Sequence, residues 1–283
     1  MFALSIFEYF KYDFVWYAMI ATVFIAVCSA FVGVTLVLKR LSNIGDGLSH
    51  VAFGAMSIGI VAGFASSIGG TILSVFVTGG VSFALITVKS STKIKGDSLI
   101  AMISVFSLAF AYFIINVFKT GGNVAGDVCT TLFGSSSILA LQPVDVIVSG
   151  VLCLATIAVY VIFYNKIFVI SFDESFARAS GIETKIYESI IAVTIAIIVS
   201  LAIRLVGSLL VTALLVFPAL SAMRVAKSYK IVTIVSVILA VVNAVTGVLI
   251  SMVAGSPVGS TIVLVEAFTF IVCLVVGIIL RRK

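Results

Sequence analysis

Nine apolar runs take up most of this 283-residue chain, at about residues 14–38, 46–64, 68–88, 98–118, 142–164, 187–203, 205–223, 231–252 and 258–280. Each comes near the roughly 20 residues that an α-helix needs to cross a bilayer. Hydrocarbon offers no partner to backbone N–H and C=O groups, so runs of this length can span only as helices. The chain is 62% hydrophobic and 10% charged, with a mean hydropathy of +1.36, which excludes an ordinary soluble domain. Spans and short connections use up the length. The expectation is therefore one all-α polytopic membrane domain, residues 1–283, with about nine transmembrane helices. Arg204 parts the sixth run from the seventh, and marks either a tight reversal or a break in one long helix.

An odd number of spans puts the termini on opposite sides, and the cations choose the sides. If the C-terminus is cytoplasmic, the inner loops hold Lys39, Arg40, Lys89, Lys93, Lys95, Lys166, Arg178, Lys185, Arg224, Lys227, Lys230, Arg281, Arg282 and Lys283. The outer loops hold only Lys11, Lys119 and Arg204. That division obeys the positive-inside rule, so the N-terminus is expected outside and the C-terminus inside. The net charge of +6 then records topology and is no sign of nucleic-acid binding. No cleavable signal peptide is expected, since Glu8, Lys11 and Asp13 interrupt the start of the chain. The four cysteines, Cys28, Cys129, Cys153 and Cys273, are scattered and form no C-x-x-C pair, so they read as small buried hydrophobes.

Two connections carry more pattern than a plain loop. The outer segment 120–141 has an apolar middle too short to span, and could dip into the membrane where protein covers it. The inner segment 171–185 begins with acidic residues, Asp173 and Glu174, as a helix N-terminus does, and reaches a stop at Gly181. A helix of about eight residues from Asp173 to Ser180 would present Phe172 and Phe176, with Glu174 and Arg178 on one face. It is either a solvated loop helix or a docking helix for a cytoplasmic partner.

Inside the apolar runs, ionisable groups are expensive and mark functional sites. Gly45-Asp46-Gly47-Leu48-Ser49-His50 places an aspartate and the chain's one histidine four residues apart, on one helix face. A carboxylate and an imidazole are two ligands for a divalent metal, and zinc takes four in a tetrahedron. Two copies of the chain about a two-fold axis would supply two of each. Asp46 could instead be a helix cap, with His50 merely packed. There is no P-loop, so the chain cannot hydrolyse ATP by itself, and no hydrolase pattern; Ser49 is adjacent to His50 in sequence and points elsewhere on a helix. The chain is therefore not read as an enzyme.

The stretch Lys39-Arg40-Leu41-Ser42-Asn43-Ile44-Gly45-Asp46-Gly47-Leu48-Ser49-His50 resembles the signature of the metal-ion ABC permeases, the membrane subunits of bacterial zinc, manganese and iron(II) importers. Leu132-Phe133-Gly134 resembles that family's L-F-G-D element. The run from Val206 to Ala219 is similar to its V-G-x-L-L-V-x-A-L-L-x-x-P-A helix, and that from Ser256 to Leu264 to the opening of its last span. The resemblance implies a fold like the vitamin B12 and siderophore importer permeases. It also implies a homodimer in the cytoplasmic membrane, a cytoplasmic ATP-binding cassette ATPase dimer, and an extracytoplasmic metal-binding protein. It assigns Asp46 and His50 to the ion site. Asp173, Glu174, Phe176, Arg178 and Gly181 fall in the segment that couples to the ATPase. No permanently bound cofactor is expected; the metal is cargo. Two residues depart from the pattern. Ser135 stands where the family has an acid after L-F-G, and Glu266 lies in the last span where an apolar residue is expected. Glu266 is an accessory polar group, or it pairs with Arg204 or with an amide such as Asn243. The family's manganese members often carry a proline shortly after the histidine; Val51-Ala52-Phe53-Gly54 has none, which points to zinc ahead of manganese or iron(II). The competing class is a gradient-driven secondary cation carrier, with Asp46, His50 and Glu266 as a proton relay.

Overall fold

The structure is a computed structural model that describes residues 11–63, 68–88, 96–118 and 143–281. Ten helices fill those residues: α1 (Asp13–Leu38), α2 (Ile44–Val61), α3 (Ile68–Val88), α4 (Gly96–Val117), α5 (Pro143–Phe172), α6 (Glu174–Ala179), α7 (Thr184–Val206), α8 (Ser208–Val225), α9 (Tyr229–Ala254) and α10 (Val258–Arg281). All but α6 coincide with the nine apolar runs. Eight are long and apolar enough to cross a membrane, and α3 carries a shorter apolar stretch, Ile72–Leu85, within its 21 residues. The outer segment 120–141, with Leu132, Phe133, Gly134 and Ser135, lies outside the described residues, as do Arg282 and Lys283.

The helices sort by burial. α1 and α2 are mostly buried, whereas α4, α5 and α10 expose most of their surface. The outer helices show Phe106, Phe113, Leu154, Ile162, Leu264 and Phe268 to their surroundings, as suits contact with lipid or another protein. α1 packs on α5, α8 and α9; α2 on α3 and α4; α3 on α7; α8 on α10. Small residues let the backbones close up. A Cβ on Gly33 of α1 would collide with the Leu215 carbonyl of α8, so only glycine fits that crossing. A buried cluster of hydroxyls joins three helices: Thr35 of α1 bonds to Tyr160 of α5, with Tyr229 of α9 at 3.5 Å.

Helix directions alternate where contacts reveal them. Phe270 of α10 meets Phe217 of α8 and, seven residues on in both helices, Gly277 meets Arg224. The two therefore run parallel. Between them α9 runs the other way, since Gly247 meets Ile262 while the earlier Asn243 bonds the later Thr269. The reversal expected at Arg204 comes three residues later. α7 continues to Val206, and Gly207 alone separates it from α8 with φ 88° and ψ 159°, a conformation essentially confined to glycine. A continuous helix is ruled out by position. Glu188, near the start of α7, bonds Lys39 at the end of α1, and Leu215 of α8 comes back to Gly33, only six residues earlier in α1.

Candidate metal site and coupling segment

The chain makes a tight turn before the aspartate. α1 ends in a Schellman motif, in which the Leu41 N–H donates to the Leu36 carbonyl at 2.9 Å and the Arg40 N–H to the Val37 carbonyl at 3.1 Å. The left-handed position, usually glycine, is Arg40 with φ 57°. Leu41 and Ile44 are buried beneath the turn and anchor it. α2 then begins inside the bundle. A Cβ on Gly45 would lie 2.8 Å from Leu215 Cδ1 and 3.7 Å from Thr212 Cα, in the first half of α8. Asp46 is thus carried well away from the end of the bundle marked by α6.

Asp46 and His50 do share a face. His50 Nε2 lies 3.6 Å from Asp46 Oδ1. That is too long for a good hydrogen bond, but close to the ~3.4 Å edge of a tetrahedron with ligands ~2.1 Å from zinc. His50 Nδ1 is buried without a hydrogen-bond partner. The Asp46 side chain is 58% exposed in the single chain, that of His50 only 16%. The capping residue of α2 is Asn43, with no side-chain capping bond, so Asp46 sits within the first turn and faces His50. Ser49 donates from Oγ to the Asp46 carbonyl at 2.8 Å and is buried, away from any nucleophilic role. Among the described residues no three His, Cys, Asp or Glu side chains come together, so Asp46 and His50 have no third such group beside them there.

Glu266 does not join them. It is fully buried, and neither carboxyl oxygen has a hydrogen-bond partner among the described residues. It makes no hydrogen bond to Asn243, whose Oδ1 accepts from Thr269 Oγ1 at 2.9 Å. The Arg204 side chain lies outside the described residues. The register that sets Phe270 on Phe217 puts Glu266 level with Ala213 of α8. Gly45 approaches α8 at Thr212 and Leu215 of the same level, so α8 packs against both helices and stands between the two acids.

The inner segment forms the expected surface helix, shorter by a turn's end: α6 covers six residues, with Asp173 outside it as the cap. Asp173 Oδ1 accepts the Phe176 N–H at 3.0 Å. A second Schellman motif ends it, with Gly181 at φ 77°. Glu174 and Arg178 form the i,i+4 ion pair, while Phe172 and Phe176 stand exposed. Arg178 also donates from Nε to Thr184 Oγ1 at 3.1 Å, tying α6 to the first residue of α7.

One ionic contact went unread in the sequence. Lys39 Nζ and Glu188 Oε1 are 2.8 Å apart, with side chains only 10% and 6% exposed. The sequence treats Lys39 as a loop cation. The signal for Glu188 was its place as the lone acid within the apolar opening of the sixth run.

A bundle of membrane-crossing helices, a half-open Asp-His pair well inside it, and a braced amphipathic helix at one end define a polytopic transport subunit. The chain belongs to the ABC 3 transport family, whose model matches residues 11–277. It is 29% identical over 264 residues to the manganese import system permease protein ScaB of Streptococcus gordonii, covering 90% of this chain and 88% of the relative. It is 24% identical over 257 residues to the high-affinity zinc uptake system membrane protein ZnuB of Haemophilus influenzae, covering 91% and 95%. The solved structure of PsaBC from Streptococcus pneumoniae in complex with Fab matches with a TM-score of 0.82 at 27% identity, over 96% of this chain and 95% of that one.

Proposed function

We propose that the chain is the permease subunit of an ATP-driven importer that carries a divalent transition-metal ion across the bacterial cytoplasmic membrane. The observation that carries this reading is the Asp46–His50 pair. A carboxylate 58% exposed this far inside a membrane bundle is untenable against lipid, so it faces water, an ion or a second copy of the chain. Two chains about an axis bring two carboxylates and two neutral imidazoles, whose formal charge of −2 offsets a dication and lowers the cost of holding it there. Ligands must be deprotonated to bind, so protons compete with the ion. Four mixed ligands suffice to replace hydration.

The preference for zinc over manganese or iron(II) rests on Val51-Ala52-Phe53-Gly54, which carries no proline after the histidine. The relatives named above include permeases for both manganese and zinc. In this reading an ATPase dimer grips Phe172, Phe176 and the Glu174–Arg178 pair from the cytoplasm, and an extracytoplasmic binding protein delivers the ion. Membership of an ABC family supports this over a gradient-driven carrier.

Reconstitution with the ATPase in liposomes tests the reading. Zinc uptake is expected to require hydrolysable ATP and to survive collapse of ion gradients. Uptake that follows a proton gradient without ATP would establish the carrier instead. Manganese outcompeting zinc at equal concentration would reverse the metal preference alone.

A further inference from the structure

We propose that the buried Lys39–Glu188 ion pair is a positioning element that ties the α6 segment to the helix bearing the Asp46–His50 pair. The inference rests on the permease reading above. Its basis is an unbroken series of contacts. Arg178 of α6 holds Thr184 at 3.1 Å. Thr184 is the first residue of α7, and Glu188 follows one turn later on the same face, both nearly buried. Glu188 holds Lys39 at 2.8 Å. Lys39 is the C-cap of α1, where the chain turns through the left-handed Arg40 into α2. Asp46 is seven residues beyond it.

Stability alone gives a poor reason for such a pair. Burying two charges costs several kcal/mol of desolvation, and apolar residues of similar volume often serve as well or better. What the ion pair adds is direction and length. Lys39 can satisfy its ammonium on Glu188 only while α7 and the α1–α2 turn keep their relative places. A push on α6 that shifts the start of α7 therefore pulls on the turn, or else takes the buried Glu188 carboxylate away from its cation. The turn is poorly able to absorb that pull. Leu41 and Ile44 are packed beneath it, and Gly45 already touches Leu215. The displacement passes on to α2 and changes where Asp46 and His50 stand relative to a partner chain.

The measurement is the number of metal ions moved per ATP hydrolysed, by the permease reconstituted with its ATPase. Lys39→Met combined with Glu188→Met removes both charges and keeps the volume. Glu188→Asp keeps both charges and shortens the tie by one carbon. The double variant is expected to reach normal amounts of folded protein and to hydrolyse ATP, yet to move several-fold fewer ions per ATP. Glu188→Asp is expected to lose part of that ratio. A purely structural pair would lower transport and hydrolysis together and leave the ratio unchanged; that result overturns the proposal. If the double variant does not accumulate, Glu188→Asp decides, and an unchanged ratio overturns it. Absence of ATP-driven uptake by the unaltered chain would instead refute the permease reading, which the control separates.

Discussion

His50 and Glu266 are both ionisable groups inside the bundle, and their surroundings assign them different roles. His50 directs Nε2 toward Asp46 Oδ1, 3.6 Å away, which is the arrangement the proposed ion site uses. His50→Ala is expected to abolish uptake. His50→Gln, which fills the space but offers a weaker ligand, should recover little, as metal uptake at matched expression will show. Near-normal uptake by the glutamine variant would reduce His50 to packing. Glu266 has no hydrogen-bond partner among the described residues. An unsatisfied buried carboxyl costs ~1–3 kcal/mol, so Glu266→Leu is expected to raise the thermal stability of the detergent-solubilised protein. A lower melting temperature would reveal a partner, such as Arg204. The Asp46–His50 pair was legible in the sequence because i,i+4 spacing fixes a shared face before any tertiary contact exists. The Lys39–Glu188 pair was not, because its members are 149 positions apart and only the fold brings them together.

At the scale of elements, two connections matter most. The α6 segment is stiff for its size: Asp173 caps it, Glu174 and Arg178 clasp it, and Gly181 ends it with a conformation other residues resist. Gly181→Pro cannot adopt φ 77° and would also remove the N–H that closes the C-terminal turn. It is expected to leave the bundle folded while uncoupling ATP hydrolysis from uptake, as should charge reversal at Glu174 and Arg178 together. Normal ATP-driven uptake in both variants would make α6 an ordinary loop. The α7–α8 reversal turns on one residue. Gly207→Ala places a Cβ in a strained conformation at a cost of ~1–3 kcal/mol, measurable as reduced thermal stability. The sequence placed this reversal at the charged Arg204, since a cation suggests an interface. The backbone placed it at the nearest residue that tolerates φ 88°. Composition locates the break; dihedral freedom fixes the residue.

For the whole molecule, eight apolar runs match their helices to within about three residues, because length and hydropathy decide what can cross a membrane; the fifth, at 142–164, falls eight residues short of α5, which continues past Lys166 to Phe172. Their packing was less legible, since Leu, Ile, Val and Phe serve equally against lipid and against another helix. The distinction between buried α1 and exposed α10 lies in the fold. The positive-inside count adds a direction: cysteines introduced at Ser5 and Lys283 are expected to react with impermeant reagents from opposite sides, Ser5 from outside. Labelling of both from one side would refute nine spans. The central claim joins two such molecules through one ion, and its most direct test is metal uptake by Asp46→Asn at matched expression. Asparagine keeps the size, still caps a helix well, and removes only the charge. Uptake is expected to fall about tenfold or more, the consequence of losing a charged ligand worth ~1.4 kcal/mol or above. Uptake retained at the level of the unaltered protein would contradict the metal site.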